Sequence, residues 1–500
     1  MLVAERLELH AKTQPDRIIT SYQGKELTYA QFFGQAKSLA AYFQQKGYKK
    51  GDIIALFLHN SDELLISYYA CHLGGFTVMP VNAKLAPPEV QYIFTHSEAK
   101  ALIYDYRFHD ALQENKQEFE KFHDRLVVGG ENTFSAAAGQ YGNYYQRPYT
   151  DAEDTAVIFY TSGTTGKPKG VMLSAANVRA AAQIWSEAMD LSAKDRVHIV
   201  TPLFHCAACH VFSIPVIYQG GTIIIEEHFS PEKTLDTMEK EKVTVFFGVP
   251  AMYSILLGTP KMAQADLSRL RLFCYGAAPM PYELVRQLKT RFPEVKVQNL
   301  YGQTENSPAA STLKDHYALE KIGSVGEVLP QTEIRVVDDY GNPVSVGEVG
   351  EIVVKGPQVM KGYLKNDEET RRTLQNGWLY SGDLGRFDED GLLYLVDRKK
   401  DMLIRGGENV YPVEVEEVLY EMPEILEAAV IGIPHEVYGE VPKAYIVLKE
   451  GRNLSEEAVL AYCAKKLAKY KWPAEVQFLD ALPRNASGKV MKHVLRKQNS

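Results

Sequence analysis

The sequence predicts an α/β protein with a smaller α+β domain at its C-terminus, and three observations carry this prediction. Up to about residue 330, short apolar runs alternate with longer amphipathic ones, which is typical of helices layered on a mostly parallel sheet. Between about 322 and 396, short strands are separated by turn dipeptides, which indicates a small antiparallel or barrel-like unit. After the charged segment 397–401, about 100 residues carry their own strands and helices, enough for a separate compact domain.

The spacing of apolar residues predicts the individual strands and helices along the chain. Short apolar runs rich in β-branched residues predict strands, and apolar residues at helical spacing predict helices. The N-terminal part accordingly reads as strand 52–58, helix 62–75, strand 77–81, helix 87–96 and strand 101–105. Later strands are predicted at 332–339, 350–356 and 392–397, followed by the β-α-β-β-α series 401–407, 413–422, 427–434, 443–449 and 456–470.

Composition and charge exclude several classes of protein. With 55 basic against 63 acidic residues among 500, the net charge of −8 provides no global positive field for nucleic acid, so a polyanion needs a local site. Five scattered cysteines cannot form a dense disulfide framework, which favours a reducing cytoplasm. The N-terminus lacks a secretory core, and the most apolar stretch, 204–218, is shorter than the ~20 residues of a membrane span. We expect a cytoplasmic protein without an intrinsic membrane anchor; a peripheral membrane contact and a homodimer stay open.

The strongest local signal is the segment YTSGTTGKPKG at 160–170, which directly follows an apolar run. Glycines and hydroxyl residues in a strand-to-loop position let backbone N–H groups and side chains surround phosphate oxygens, while lysines add charge. The segment is not a Walker A loop, because Thr161 and Pro168 stand where that pattern needs Gly and Ser or Thr. We predict a phosphate-binding loop that includes Thr161, Ser162, Gly163, Thr164, Thr165 and Lys169.

Further motifs follow in order: TPLFH (201–205), YGAAP (275–279), NLYGQTE (299–305), YSGDLG (380–385), DRKKDMLIRGGENVYPVEVE (397–416) and PRNASGK (483–489). With them the chain resembles the adenylate-forming superfamily of AMP-binding enzymes, in the branch of the acyl-CoA synthetases, fatty-acyl-CoA synthetases and 4-coumarate-CoA ligases among them. The resemblance covers essentially the whole chain. It implies a large N-terminal domain, 1–398, of two α/β subdomains and a distorted β-barrel, and a small mobile C-terminal domain, 399–500. It also implies that ATP, Mg²⁺ and coenzyme A are used.

The resemblance assigns roles in adenylation, in which a carboxylate oxygen attacks the α-phosphorus while pyrophosphate leaves and charge must be neutralised. Glu305 would bind Mg²⁺, since this cation prefers hard oxygen ligands. Thr304 would contact the α-phosphate, and Tyr301 would cover the adenine. Asp383 would accept hydrogen bonds from the ribose hydroxyls, and the planar fork of Arg398 would contact ribose or phosphate oxygens. The other nucleotide-binding residues that the resemblance implies are Gly276, Ala277, Ala278, Asn299 and Gly302.

The C-terminal motifs imply a second set of roles. Lys489 matches the lysine that bridges the carboxylate and the α-phosphate during adenylation. Because a thiol must then enter the same space, enzymes of this family rotate the small domain, and the pivot matches Lys400. Gly406 and Gly407 would then permit close backbone approach to the pantetheine of coenzyme A.

The nature of the acid follows from two positions. Amino-acid activating relatives carry an Asp where this chain has His205, so an ammonium group would lack its partner and amino acids are disfavoured. Acetate-activating relatives carry a Trp where this chain has Gly302, so a longer channel is expected. The predicted lining is Phe204, His205, Phe212, Gly248, Val249, Tyr275, Gly276 and Gly302.

We therefore predict an AMP-forming acyl-CoA synthetase for a medium- or long-chain fatty acid, with Lys489, Thr304, Glu305 and His205 as catalytic candidates. The alternatives are an arylpropenoate-CoA ligase of the same mechanism, a ligase acting on a carrier protein, and a nucleotide-binding protein without catalysis. The segment Cys206–His210 also matches the haem-attachment pattern C-x-x-C-H, but it lies within an apolar stretch next to TPLFH and is expected to pack near the acyl channel.

Overall fold

The computed structural model describes residues 1–114, 116–161, 167–278, 280–406, 408–484 and 490–497. The chain divides into two compact units. Unit 1 comprises Met1–Ile334 and Val354–Tyr380, and unit 2 comprises Arg335–Val353 and Ser381–Ser500. The domain boundary expected after residue 398 stays a prediction. No helix of the described residues is both long and apolar enough to cross a bilayer.

The α-helices are numbered in chain order. They are α1 (Val3–Thr13), α2 (Tyr29–Gln45), α3 (Asp62–Gly74), α4 (Pro87–Ser97), α5 (His109–Glu114), α6 (Lys116–Glu120), α7 (Thr133–Gln140), α8 (Ala175–Ala188), α9 (Ile214–Gln219), α10 (Pro231–Lys240), α11 (Pro250–Gly258), α12 (Tyr282–Arg291), α13 (Asp367–Thr373), α14 (Pro412–Tyr420), α15 (Glu456–Lys466) and α16 (Lys492–Lys497). A π-helix, Ala207–Ser213, runs directly into α9.

The strands are numbered in the same way. They are β1 (Ile18–Tyr22), β2 (Lys25–Thr28), β3 (Ile53–Phe57), β4 (Thr77–Pro80), β5 (Ala101–Asp105), β6 (Asp124–Val128), β7 (Thr155–Thr161), β8 (Lys169–Ser174), β9 (Arg196–Ile199), β10 (Thr222–Ile225), β11 (Val245–Gly248), β12 (Leu272–Gly276), β13 (Lys296–Tyr301), β14 (Ser311–Leu313), β15 (Ser324–Val328), β16 (Glu333–Val337), β17 (Gly350–Lys355), β18 (Gly362–Tyr363), β19 (Leu374–Gln375), β20 (Trp378–Phe387), β21 (Leu393–Arg398), β22 (Leu403–Arg405), β23 (Glu408–Val410), β24 (Ile425–His435), β25 (Gly439–Leu448) and β26 (Glu475–Phe478).

The helix boundaries follow from local chemistry. Ser61 accepts a hydrogen bond from the backbone of Leu64 and so begins α3, and Gly75, at φ 72°, ends it. Thr28 and Gln31 form a reciprocal capping box at the start of α2. These side chains satisfy backbone groups that the first turn of a helix leaves without partners.

Unit 1 is built on two sheets, and the predicted α/β class is confirmed. One sheet has the order β15-β14-β13-β12-β11-β9-β10-β1-β2, in which the strands from β13 to β1 are parallel neighbours. The other has the order β18-β8-β7-β4-β3-β5-β6. A core of buried residues between the first sheet and its helices includes Phe246, Tyr253 and Phe273, all fully enclosed.

The parallel strands β11, β12 and β13 bring their carboxyl ends to one edge of the first sheet. Gly248 is in register with Tyr275, and Gly276 is in register with Leu300. The next strand, β14, runs antiparallel to β13. In open α/β sheets, ligands bind at the carboxyl ends of the strands where the strand order changes, so this edge is the place to expect a site.

In the described part of unit 2, β21 is antiparallel to β20, β22 to β23 and β25, and β24 to β25, while β26 runs parallel to β25. The strands β16-β17-β20-β21 lie side by side in this order, and β22-β25-β24 form a second sheet in which β23 pairs with β22 and β26 with β25. Among the described strands no sheet closes: β16 pairs with β17 alone, so the barrel-like unit expected from the sequence is an open sheet. A barrel would require every strand to have two neighbours.

Candidate functional site

The predicted phosphate loop connects two strands that run antiparallel in unit 1. Thr161 ends β7 and is in register with Lys169, which begins β8, so the two ends of the loop lie side by side. The loop residues Ser162, Gly163, Thr164 and Thr165 lie outside the described part of the chain. Two paired strand ends suit the start and the end of a loop that must wrap a phosphate chain.

Lys169 is held by an acidic partner that the sequence did not single out. Its ammonium group forms an ion pair with Glu369 in α13 and lies 5.1 Å from the centre of the Tyr363 ring. Both ion-pair partners are largely buried. Burial alone would raise the pKa of Glu369, but the hydrogen bonds and charges of Lys169 and Arg372 hold that pKa below its ordinary value. Glu369 is therefore an anion that neutralises Lys169 in this structure.

Glu305 and Thr304 lie on a short 3-10 turn after β13. The turn Thr304–Asn306 begins at Gln303, whose backbone N–H donates to the side chain of Asn306 at 2.8 Å. The Glu305 Oε1 atom accepts a hydrogen bond from the Tyr363 hydroxyl at 3.0 Å. The Met360 backbone N–H donates to the Glu305 carbonyl at 2.8 Å, so one segment holds both parts of Glu305.

The residues expected to bind the nucleotide base lie at the carboxyl ends of β12 and β13. Gly276 ends β12, and a Cβ there would lie 2.6 Å from the Leu300 carbonyl oxygen, so only glycine fits. Ala277 follows with φ +66°, and Ala277 and Ala278 are exposed. Asn299 and Tyr301 belong to β13, where the Asn299 amide donates to the Ser324 carbonyl at 3.3 Å. The structure thus brings these predicted residues to a common edge.

Gly302 is required by backbone packing. A Cβ at this position would lie 2.2 Å from the carbonyl carbon of Pro308 and 2.4 Å from its oxygen. The expectation that glycine here opens a channel that a tryptophan would fill is therefore incomplete: the backbone of this chain leaves no room for any side chain at residue 302. Gly302 instead allows the turn with Thr304 and Glu305 to fold back on itself.

The predicted acyl-channel residues divide into a buried and an accessible group. Phe212 and Tyr275 are 0% and 2% exposed and belong to the interior; the Phe212 ring centre lies 4.7 Å from that of Phe247. Burial raises the pKa of Tyr275. His205, Val249 and Gly302 are half-buried, and the His205 ring centre lies 4.7 Å from that of the buried Phe204. Among the accessible members, Val249 and Gly302 have no polar side chain, and His205 carries an imidazole.

The Cys206–His210 segment forms a buried polar contact beside these residues. His210 lies in the π-helix, and its Nε2 atom is 2.5 Å from the Tyr68 hydroxyl. Burial lowers the pKa of His210 to about 3 and raises the pKa of the Cys206 and Cys209 thiols, so all three are neutral near pH 7. Neutral, enclosed thiols are poor nucleophiles, and an occupied imidazole nitrogen is a poor haem ligand.

Asn60 is a site-supporting residue that the sequence did not reveal. Its buried amide donates to the carbonyls of Thr201 and Glu226 at 2.9 and 3.0 Å and accepts from the Leu203 backbone N–H at 2.7 Å. It thereby fixes the loop that leads to His205. No pattern of residues near position 60 signals this role, because the partners lie more than 140 positions away along the chain.

In unit 2, Asp383 and Arg398 lie opposite each other on β20 and β21. The Arg398 Nε atom is 2.7 Å from the buried Asp383 carboxylate. The Asp383 backbone N–H donates to the Ser381 hydroxyl at 3.0 Å, which in turn donates to the Ile352 carbonyl at 2.6 Å. The two residues predicted to contact a nucleotide are thus brought together, and each is a partner of the other.

Two further unit 2 candidates, Lys400 and Gly406, lie on either side of β22. Lys400 is exposed, and partial desolvation of its ammonium group by the surrounding protein lowers its pKa. Gly406 has φ +60°, and its N–H donates to the Tyr438 carbonyl at 2.8 Å, which ties the end of β22 to the residue before β25. Gly407 and Lys489 lie outside the described residues.

The residues around Glu305 fit a divalent cation. Glu305 is half-buried, and within the described residues its Oε2 atom has no hydrogen-bond partner. No group of three or more His, Cys, Asp or Glu side chains that could hold a metal occurs in the described part of the chain. Mg²⁺ is usually bound by one or two carboxylates together with substrate phosphates and water, so a single carboxylate at this position fits a cation that arrives with a nucleotide.

Comparison with known proteins identifies the family of the chain. The AMP-binding enzyme family matches residues 7–364, and the AMP-binding enzyme C-terminal domain matches residues 414–489. The chain is 36% identical over 491 residues to a feruloyl-CoA synthase of an Amycolatopsis species, covering 98% of this chain and 97% of that protein. It is 36% identical over 481 residues to the long-chain-fatty-acid–CoA ligase FadD13 of Mycobacterium tuberculosis, covering 95% and 93%.

A solved structure shows the same architecture. O-succinylbenzoate coenzyme A synthetase of Bacillus subtilis, in complex with ATP and magnesium ion, superposes with a TM-score of 0.87 at 33% identity, covering 99% of this chain and 98% of that one. The fold and the site therefore define an adenylate-forming enzyme, and the chain belongs to the AMP-binding enzyme family. It is a CoA ligase that uses a carboxylic acid, ATP with Mg²⁺, and coenzyme A.

Proposed function

We propose that this enzyme activates a predominantly apolar acid, with a medium- or long-chain fatty acid as the first candidate. The reaction joins the acid carboxylate to the α-phosphate of ATP with loss of pyrophosphate, and the thiol of coenzyme A then displaces AMP. The observation that carries the proposal is the accessible lining at the sheet edge, where His205, Val249 and Gly302 include no carboxylate, ammonium or guanidinium group. A charged tail would lack a counter-ion there, and burying an unpaired charge is costly.

An arylpropenoic acid is the second candidate. It is supported by the similarity to a feruloyl-CoA synthase and by the aromatic pair of Phe204 and His205. Flat aromatic rings stack favourably on such side chains. The similarity to FadD13 supports the first candidate at the same level of identity.

Within the proposed reaction, residues of this chain have distinct tasks. Thr304 and Glu305 would receive the phosphates and their cation, which supplies positive charge to the reacting phosphoryl group when it is bound. His205 would lie beside the acid, and Lys489 would bridge the acid and the α-phosphate. A cytoplasmic location is proposed as well, and the five free, buried cysteine thiols support it.

The test is a panel of acids assayed for CoA-dependent AMP formation. Octanoic, dodecanoic and hexadecanoic acids represent the first candidate, ferulic and 4-coumaric acids the second, and phenylalanine and acetate the excluded classes. We expect the largest kcat/KM among the fatty acids. A largest kcat/KM with ferulic or 4-coumaric acid would select the second candidate, and a largest value with phenylalanine or acetate would contradict both.

A further inference from the structure

The segment 360–370 lies against both charged groups of the unit 1 site, and we call it the strap. Its short strand β18 pairs with β8, with Tyr363 opposite Val171 and Gly362 opposite Met172. The Leu364 backbone N–H adds a hydrogen bond to the Gly170 carbonyl at 2.7 Å. The strap is therefore anchored beside the strand that begins at Lys169.

Tyr363 connects the strap to Glu305. Its hydroxyl donates to Glu305 Oε1 at 3.0 Å, while Met360 of the same strap donates to the Glu305 backbone carbonyl at 2.8 Å. Tyr363 is 5% exposed, and its own backbone N–H is bonded to the Thr370 hydroxyl at 2.9 Å. Burial, followed by the neighbouring Glu305 charge, raises the pKa of the Tyr363 phenol, so it stays a protonated donor near pH 7.

This arrangement gives the two oxygens of the Glu305 carboxylate different surroundings. Oε1 is bonded to a buried phenol on an anchored strand, and within the described residues Oε2 is not bonded. A hydrogen bond of this kind fixes the rotation of a carboxylate and presents its other oxygen to a cation. We propose that Tyr363 is a positioning residue for the metal ligand Glu305, an inference that rests on the proposed role of Glu305.

The role of the Tyr363 hydroxyl can be tested separately from the role of its ring. The Tyr363 ring also lies beneath Lys169, so removal of the whole side chain would disturb two charged groups together. Tyr363→Phe keeps the ring and removes the hydroxyl, and with it the hydrogen bond to Glu305 and a side-chain contact with Thr373. Tyr42→Phe is the matched control. The hydroxyl of Tyr42, a residue of α2, likewise donates to a carboxylate, that of Asp124, at 2.9 Å.

The experiment measures ATP binding by calorimetry, once with EDTA and once with saturating Mg²⁺. The ratio of the two dissociation constants is the factor by which Mg²⁺ tightens ATP binding. We expect this factor to fall about tenfold in Tyr363→Phe, since loss of such a positioning bond typically costs ten- to a hundredfold in metal affinity. The EDTA dissociation constant and the Tyr42→Phe values should equal those of the wild type.

A third variant tests whether Glu305 is the metal ligand, independently of the role of Tyr363. Glu305→Gln should abolish the tightening by Mg²⁺ if Glu305 is the metal ligand. If Glu305→Gln retains the full tightening, the proposed role of Glu305 fails and the inference falls with it. If Glu305→Gln loses the tightening but Tyr363→Phe keeps it, Glu305 is the ligand and the positioning role of Tyr363 is wrong.

Discussion

Single residues in this structure show which sequence patterns carry information and which do not. The glycines at 276 and 302 were predicted from the motifs around them, but the physical reason for each is the approach of a neighbouring backbone, Leu300 in one case and Pro308 in the other. Such contacts join residues through the fold. Residue type alone could indicate the position but not the cause.

Substitution of Gly302 tests this cause. A Cβ there must displace the Pro308 backbone, and Thr304 and Glu305 lie on the intervening turn. We expect Gly302→Ala to lower the rate of acid-dependent pyrophosphate release about a hundredfold, since a shift of about 1 Å in a positioned group has an effect of that size. Gly258→Ala is the control, because a Cβ at residue 258 meets nothing within 4 Å. Wild-type rates in Gly302→Ala would show that the turn tolerates a side chain.

Asp62 makes a pH-dependent prediction. Its carboxylate is buried, neither oxygen is hydrogen-bonded within the described residues, and Lys25 lies 3.8 Å away. Burial raises the pKa of Asp62 to about 6. Between about pH 4 and 6 the folded state therefore binds more protons than the unfolded state, so the free energy of unfolding falls as the pH rises and the loss is complete above pH 6.

Asp62→Asn removes this loss. We expect the variant to be more stable than the wild type at pH 8, by about 2 kcal/mol, and close to it at pH 4. Urea unfolding at the two pH values measures the difference, with the exposed Asp16→Asn as a control. A variant less stable than the wild type at pH 8 would show that the Asp62 charge is stabilising.

At the scale of elements, the sequence predicts the strands and helices that have a regular apolar period. Predicted strands at 52–58 and 101–105 correspond to β3 and β5, and the predicted helix 62–75 corresponds to α3. The strap was not predicted, because a two-residue strand has no period to detect. Tyr363 and Glu369 reach Glu305 and Lys169 through the pairing of β18 with β8, which no local pattern predicts. The contacts of Asn60 could not be predicted for the same reason, because its partners are distant along the chain.

The expected barrel shows a different limit. Short strands with frequent turns were correctly predicted between 322 and 396, but the pattern of a strand is the same whether its sheet is open or closed. Closure depends on which strands become neighbours. In the structure β16 pairs with β17 alone among the described strands, and the sheet stays open.

At the scale of the whole molecule, the family resemblance predicts the enzyme class and its cofactors, and the comparisons confirm both. The residue roles in both units stay predictions. Lys489→Ala should abolish acid-dependent pyrophosphate release while thioester formation from supplied acyl-AMP continues at close to the wild-type rate, because only the first step needs a cation between the two anions. Assays of the two half-reactions measure this separately, and equal loss of both would contradict the role.

The exchange of labelled pyrophosphate into ATP in the absence of coenzyme A measures the proposed acid-activating step by itself. Adenylation is reversible and needs no thiol, so exchange reports the first half-reaction alone. We expect exchange that depends on an apolar acid such as dodecanoic acid and that is lost in Glu305→Gln. Exchange supported by phenylalanine or acetate in place of the apolar acids, or none with any acid of the panel, would contradict this expectation.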